Sequence, residues 1–160
     1  MKKINVDNIE WQSSENKDFS YARKSLGTQA GGKMLGASMY KLTPQKKAFP
    51  FHFHHANEEA ILILKGSGTL RLTDGSMPVT EGDYIAMPTG PEHAHQMINT
   101  SNESLEYLCF STMIVPEVSE YPDSNKIGVL TGTAPGGLKE KNSFKGFYKK
   151  ESDVDYFEGE

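Results

Sequence analysis

The chain has 160 residues, 36% of them hydrophobic and 24% charged, which suits one globular, soluble domain with a real core. A net charge of −4 and an isoelectric point near 5.7 exclude the basic stripe that nucleic-acid binding requires. No basic amphipathic helix and no apolar run of bilayer length is present, so no membrane partner is expected. The N-terminus carries Lys2 and Lys3 without a following apolar run, which predicts a cytoplasmic protein with no signal peptide. The single cysteine, Cys109, precludes an intramolecular disulfide and reads as a buried structural thiol.

Residues 1–20 are polar with apolar anchors at Ile4, Val6, Ile9, Trp11 and Phe19, and read as an arm that packs on another surface. A strand is predicted over 34–42, ended by Thr43-Pro44, and another over 49–54, where Pro50 marks an edge or a strand start. The apolar run 59–64 fits a strand buried on both faces and is broken at Gly66. Alternation over 69–73 followed by Asp74-Gly75 signals a hairpin. Further strands are predicted over 84–87, 96–99 and 105–113, the last being the final core strand, with one more over 126–130. Turn residues fill 133–137, and 151–160 reads as a wrapping extension. No segment sustains a 3.6-residue period. Many short strands punctuated by 15 glycines and 8 prolines predict an all-β sandwich or barrel.

The chemistry concentrates in the histidines. Of five, three lie in the stretch His52-Phe53-His54-His55, and the other two form a second His-x-His at His93 and His95. On a strand, His52 and His54 share one face, while Phe51 and Phe53 take the other. Glu59 opens the next strand, with Ile61 and Ile63 on its own face. A lumen that is apolar except for two imidazoles and a carboxylate does not tolerate uncompensated charge, and a metal ion resolves the conflict. His55 has the wrong parity, and Glu58 reads as a solvated neighbour of Glu59.

The order His-x-His-x4-Glu-x6-Gly over His52, His54, Glu59 and Gly66, followed by Gly82-x5-Pro88-x-Gly90, resembles the two sequence motifs of the cupins. The leading glycine of the first motif is absent. In the second motif two readings stand: His93 has the right distance from Gly90, and His95 has the right distance to Asn99. Strand register favours His95, with His93 as the alternative ligand, a rim residue or a neighbour of the ligand set. The resemblance covers about residues 34–113. It implies a jelly-roll barrel, the double-stranded β-helix, within a single domain over 1–160. Residues 1–33 would be an arm with first strands, and 114–160 a C-terminal extension. It further implies a three-histidine, one-glutamate site at His52, His54, Glu59 and His95 for iron, manganese, nickel, zinc or copper, which such ligands do not discriminate. A homodimer joined through sheet edges and N-terminal strands is implied as well.

A metal with open coordination positions suits a small-molecule substrate, and similar cupins include sugar-phosphate isomerases, dioxygenases and decarboxylases. Tyr40, Arg71 and Tyr107 are the candidate catalytic or substrate-binding residues, with Tyr84 and His93 also placed near the mouth. Arg71, if inward, would hold a carboxylate or phosphate. A non-catalytic binder of a sugar or similar ligand, or a metal-stabilised structural domain, is the competing expectation, since fold alone does not choose.

Overall fold

The structure, a computed structural model, describes residues 1–138 and 140–160. In chain order the first strands are β1 (Gln12–Asn16), β2 (Phe19–Ser25), β3 (Leu35–Leu42), β4 (Phe53–His54), β5 (Glu59–Lys65), β6 (Ser67–Leu72) and β7 (Gly75–Thr80). They continue as β8 (Tyr84–Met87), β9 (His95–Ile98), β10 (Leu105–Thr112), β11 (Glu117–Tyr121), β12 (Lys126–Thr131) and β13 (Phe144–Lys149). A single-turn helix, α1 (Leu26–Gln29), links β2 to β3.

One wall is a sheet in the order β1-β2-β3-β10-β5-β8. The other is built from β7-β6-β9 and β4-β11-β12-β13, which meet edge to edge at an isolated bridge between His52 and His95. Every strand pairing is antiparallel, and the fold is an all-β jelly roll.

The residues facing the interior of the first wall follow from its register. Tyr21, Leu42 and Leu105 form one rung; Arg23, Tyr40, Tyr107 and Ile63 the next; then Ser38, Cys109 and Ile61; then Gly36, Ser111 and Glu59. One end is thus aliphatic and the other small and polar. At the aliphatic end Leu42, Leu70 and Leu105 are fully buried and join Ile63, Val79 and Met97 in the main core. Each such side chain stabilises the fold by roughly 1.5–3 kcal/mol relative to exposure. Gly66, the motif glycine, sits between β5 and β6 at φ +84°, and a Cβ there would meet the Ser104 carbonyl at 2.6 Å. Only glycine supplies both the left-handed backbone and the close approach.

The structure departs from the sequence reading in four places. The ladder predicted over 49–54 is reduced to Phe53–His54, with His52 held by its single bridge, because Pro50 lacks the N–H a continuous ladder needs. The core does not end at residue 113: β11 pairs with β4, Ser119 lying opposite His54, so the extension completes the wall that carries the histidines. The N-terminal arm packs on its own domain. β1 pairs with β2, Ile9 is buried, and Lys24 reaches the Val6 carbonyl at 2.8 Å while its ammonium lies 4.7 Å from the Trp11 ring centre. The β2 strand, which the sequence reading expected among the first strands without giving it a range, carries Lys24 into that contact. Among the described residues no helix is long and apolar enough to cross a membrane.

Candidate metal centre

His52 and His95 are direct antiparallel neighbours. The His95 N–H donates to the His52 carbonyl at 2.8 Å, and the His52 N–H donates back at 3.2 Å. A directly opposed pair projects both side chains to the same face, and the ring centres lie 4.7 Å apart. His54, two residues on, shares that face, its ring centre 5.0 Å from that of His52. Glu59 approaches from the other wall, where β5 begins.

The turn between His54 and Glu59 is fixed by a carboxylate from β11. Glu117, fully buried, accepts from the N–H groups of His55 at 3.1 Å and Asn57 at 2.9 Å, and from the Asn57 amide. Asn57, also fully buried, accepts in turn from the Ile114 N–H at 2.7 Å and the Thr112 hydroxyl at 3.2 Å. These bonds aim Glu59 back across the lumen. His52, His54, Glu59 and His95 consequently offer ligand atoms that all lie within 4.8 Å of one another.

Each imidazole is oriented through Nδ1. His52 Nδ1 lies 2.8 Å from the Pro50 carbonyl and His95 Nδ1 lies 2.9 Å from the His93 carbonyl. His54 Nδ1 lies 3.2 Å from Ser119 Oγ and 3.7 Å from Glu117 Oε1. Nε2 of each ring is left for the centre. His95 Nε2 is 3.3 Å and His54 Nε2 3.5 Å from Glu59 Oε2. His54 Nε2 is buried and has no hydrogen-bond partner. An orphaned buried polar atom costs about 1–3 kcal/mol, and a cation among three imidazoles and a carboxylate removes that cost. The cluster is able to hold a metal.

The electrostatics agree with a charge-hungry site. Burial, and then the neighbouring His95 and His54, push the pKa of His52 down to about 3, so its ring is neutral. Burial also disfavours charge on His54, but the Glu117 and Glu59 carboxylates, 3.7 and 3.5 Å from its ring nitrogens, outweigh it and carry the pKa up to about 9. Burial of Glu59 is overcome by His54 and His95, which hold its carboxyl well below the usual carboxylate range. Glu117 is lowered in the same way, by His54 and Asn57 against burial.

The cluster opens on a cavity of about 310 Å³. Tyr40 and Tyr107 line it, and burial pushes both phenols up, so they stay protonated. Cys109 lines it too, its thiol raised by burial. Arg71 does not. It lies opposite Gln96, whereas Leu72 lies opposite His95, so strand parity sends Arg71 to the outer face. There its guanidinium lies 4.1 Å from the Phe51 ring centre and binds both carboxylate oxygens of Asp123, at 2.6 and 2.8 Å. Tyr84 is exposed on β8, and His93 is half-exposed beside Glu92, at 3.6 Å. His55, outside the cluster, contacts Glu120 at 2.9 Å.

The sequence reading missed Glu117, Ser119 and Tyr121. Their alternation on β11 puts all three on the face of His54, and Tyr121 stacks on His52 with ring centres 5.9 Å apart. That period-two pattern was the available signal. Arg23, which lines the cavity from β2, had none.

Residues 38–111 match the family model of the cupin domain. Over 100 residues the chain is 26% identical to a quercetin 2,3-dioxygenase of Bacillus subtilis, covering 60% of this chain and 29% of that one. Over 60 residues it is 37% identical to an uncharacterized protein of Methanocaldococcus jannaschii, covering 38% of this chain and 46% of that one. The chain thus matches less than half the length of either curated relative. A solved cupin-superfamily sugar phosphate isomerase of Silicibacter pomeroyi superposes with a TM-score of 0.79 at 22% identity, covering 94% of both chains. The two motifs, the jelly-roll walls and the family match coincide: residues 38–111 match the cupin domain, on a jelly-roll fold that the whole chain shares with the solved structure.

Proposed function

We propose that this chain is a metal-dependent enzyme acting on a small polar metabolite by isomerase-type chemistry, with His52, His54, Glu59 and His95 as the metal ligands. The observation that carries the reading is the orphaned, buried His54 Nε2, set in a three-histidine, one-glutamate cluster that opens on a cavity of metabolite size. The whole-chain likeness to a sugar phosphate isomerase supports the choice of reaction. A divalent iron, manganese, nickel, zinc or copper ion bound there would supply a Lewis acid toward a substrate carbonyl or hydroxyl.

The protein's own groups do the rest. The three imidazoles keep Nε2 on the centre because Nδ1 is occupied by the Pro50 and His93 carbonyls and by Ser119 and Glu117. Tyr40 and Tyr107, protonated phenols on the cavity wall, donate hydrogen bonds to substrate oxygens. The aliphatic rung at Leu42 and Leu105 closes the far end against water. The setting we propose is a cytoplasmic homodimer, which light scattering tests.

The test uses protein made without a metal-binding tag. Elemental analysis should find about one transition metal per chain in the wild type and none in His54→Ala. In D₂O, proton NMR should show deuterium entering the carbon next to the carbonyl of an aldose or ketose from a panel that includes their phosphates. Absence of metal from the wild type, or undiminished turnover in His54→Ala, would overturn the proposal. The likeness to the Bacillus subtilis dioxygenase favours a second reading, and oxygen uptake without deuterium exchange would select it.

A further inference from the structure

The chain has two arginines, Arg23 and Arg71, and the fold uses them in opposite ways. Arg71 is spent on Asp123 at the surface. Arg23 is half-buried on β2, on the cavity wall, in the rung of Tyr40 and Tyr107. Its Nε donates to Ser38 Oγ at 3.0 Å and its Nη2 to the Gly136 carbonyl at 3.1 Å, both neutral acceptors. Gly136 has φ +77°, and a Cβ there would meet Nη2 at 2.7 Å, so glycine is what lets this turn reach the guanidinium. No ion pair among the described residues includes Arg23. The side chain is therefore held in orientation, its guanidinium 5.9 Å from the Tyr40 ring centre, while Nη1 donates to no protein acceptor among the described residues and no carboxylate pairs with the charge.

Lys145, exposed on β13, adds a second cation to the cavity lining, its ammonium 5.3 Å from the Phe147 ring centre. Among the described residues Glu59 is the one carboxylate on the lining. Glu59 lies on β5, separated from the Arg23 strand by β3 and β10. The cavity lining thus carries Glu59 on β5 and Arg23 two intervening strands away on β2, with Lys145 on β13 of the other wall.

We propose that Arg23 and Lys145 form a phosphate subsite, which seats the anionic end of a phosphorylated substrate while its other end reaches the histidine–glutamate cluster. A guanidinium and an ammonium on one cavity lining match a dianion better than a monoanion. This assignment rests on the enzyme reading above and narrows its substrate class to phosphate monoesters.

The probe is inorganic phosphate, titrated by calorimetry into the full-length chain stripped of metal, so that direct metal–phosphate contact plays no part. The wild type should bind saturably, Arg23→Ala about tenfold or more weakly, and Lys145→Ala more weakly by a smaller factor. Arg23→Lys should fall between wild type and Arg23→Ala, and Arg71→Ala should bind like the wild type. Lys145 is exposed, so its variant still reports if Arg23→Ala folds poorly. Absence of saturable binding, wild-type affinity in Arg23→Ala, or acetate bound as tightly as phosphate would each overturn the subsite. Failure here alongside intact metal-dependent turnover removes only the subsite. Phosphate binding that persists in a protein that takes up no metal removes only the enzyme reading.

Discussion

The two His-x-His segments have the same spacing and different outcomes. His52 and His54 both face the centre, while of His93 and His95 only His95 does. The difference lies in the backbone. His54 is in β4, and His52 is bridged to β9 in extended pairing. Residues Pro91–His93 instead form a 3-10 turn, and β9 begins only at His95. An i, i+2 spacing places two side chains on one face only when both residues are extended. What His93 contributes is its carbonyl, which holds His95 Nδ1 at 2.9 Å.

The strongest way to break that comparison is to delete one imidazole from each segment. His54→Ala should weaken metal binding by more than the ~10–100-fold expected for loss of an outer partner, while His93→Ala, which keeps its carbonyl, should bind nearly as the wild type. Metal titration monitored by calorimetry distinguishes them. Equal losses would mean that the half-exposed His93 swings inward, and the backbone argument would fail.

A finer test removes the support behind one imidazole. Glu117→Gln keeps the shape but leaves one accepting oxygen where the carboxylate has two, so the His55 or the Asn57 N–H loses its acceptor, and it removes the charge beside His54 Nδ1. Metal affinity should fall ~10–100-fold. The folding readout separates the roles: a metal-free Tm that falls while affinity holds would confine Glu117 to the turn.

How much of this was legible in the sequence follows the same logic. The clustering of His52, His54 and Glu59 was readable because a strand, a turn and a strand convert spacing into geometry. Asn99 settled the second segment. It is fully buried, donates to the Leu42 and Glu103 carbonyls at 3.0 and 2.8 Å, and accepts from Ser101, so it fixes the register of β9 and with it His95. The side taken by Arg71 stayed open because parity alone says which residues share a face and not which face is inside. Glu117 and Arg23 act across 58 and 36 residues of chain from Glu59, as numbered. Contacts of that separation depend on strand order, which spacing within one motif does not encode.

The histidine cluster also predicts a pH profile for the metal-free protein. The folded pKa of His54, about 9, lies above the ordinary value of 6.5, so the folded state holds that proton more tightly. Its contribution to stability is complete below about 6.5 and is lost as pH rises through 9. His52, lowered to about 3, acts in the opposite direction: below 6.5 the unfolded chain takes up a proton that the folded chain refuses. Stability therefore falls as pH drops from 6.5 toward 3, and the lowered carboxyls of Glu59 and Glu117 deepen the loss below their ordinary 4.5. Tm should peak near the middle of this range, each kcal/mol counting for ~2–4 °C in a chain of this size. Saturating metal should flatten the alkaline limb, because the metal takes the place of the His54 proton. An alkaline decline unchanged by metal would place that proton elsewhere.

The smallest expected effect concerns a residue that parity turned outward. Arg71 and Asp123 form a two-pronged pair, but their side chains are 39% and 51% exposed. Solvent and salt screen such a pair to roughly 0–1 kcal/mol. Arg71→Ala should therefore lower Tm by only a few degrees, part of it from uncovering the Phe51 ring, and should leave metal affinity untouched. Phe51 is the pivot of this test. It lies on the outer face with Phe53 and Ala94, next to His52 on the inner face. If removing Arg71 loosens Phe51 enough to move His52, metal affinity will fall with Tm, and the two faces of that strand are coupled. If affinity holds while Tm shifts, the strand isolates its faces, and outer-face substitutions can be used freely to tune stability without disturbing the histidines.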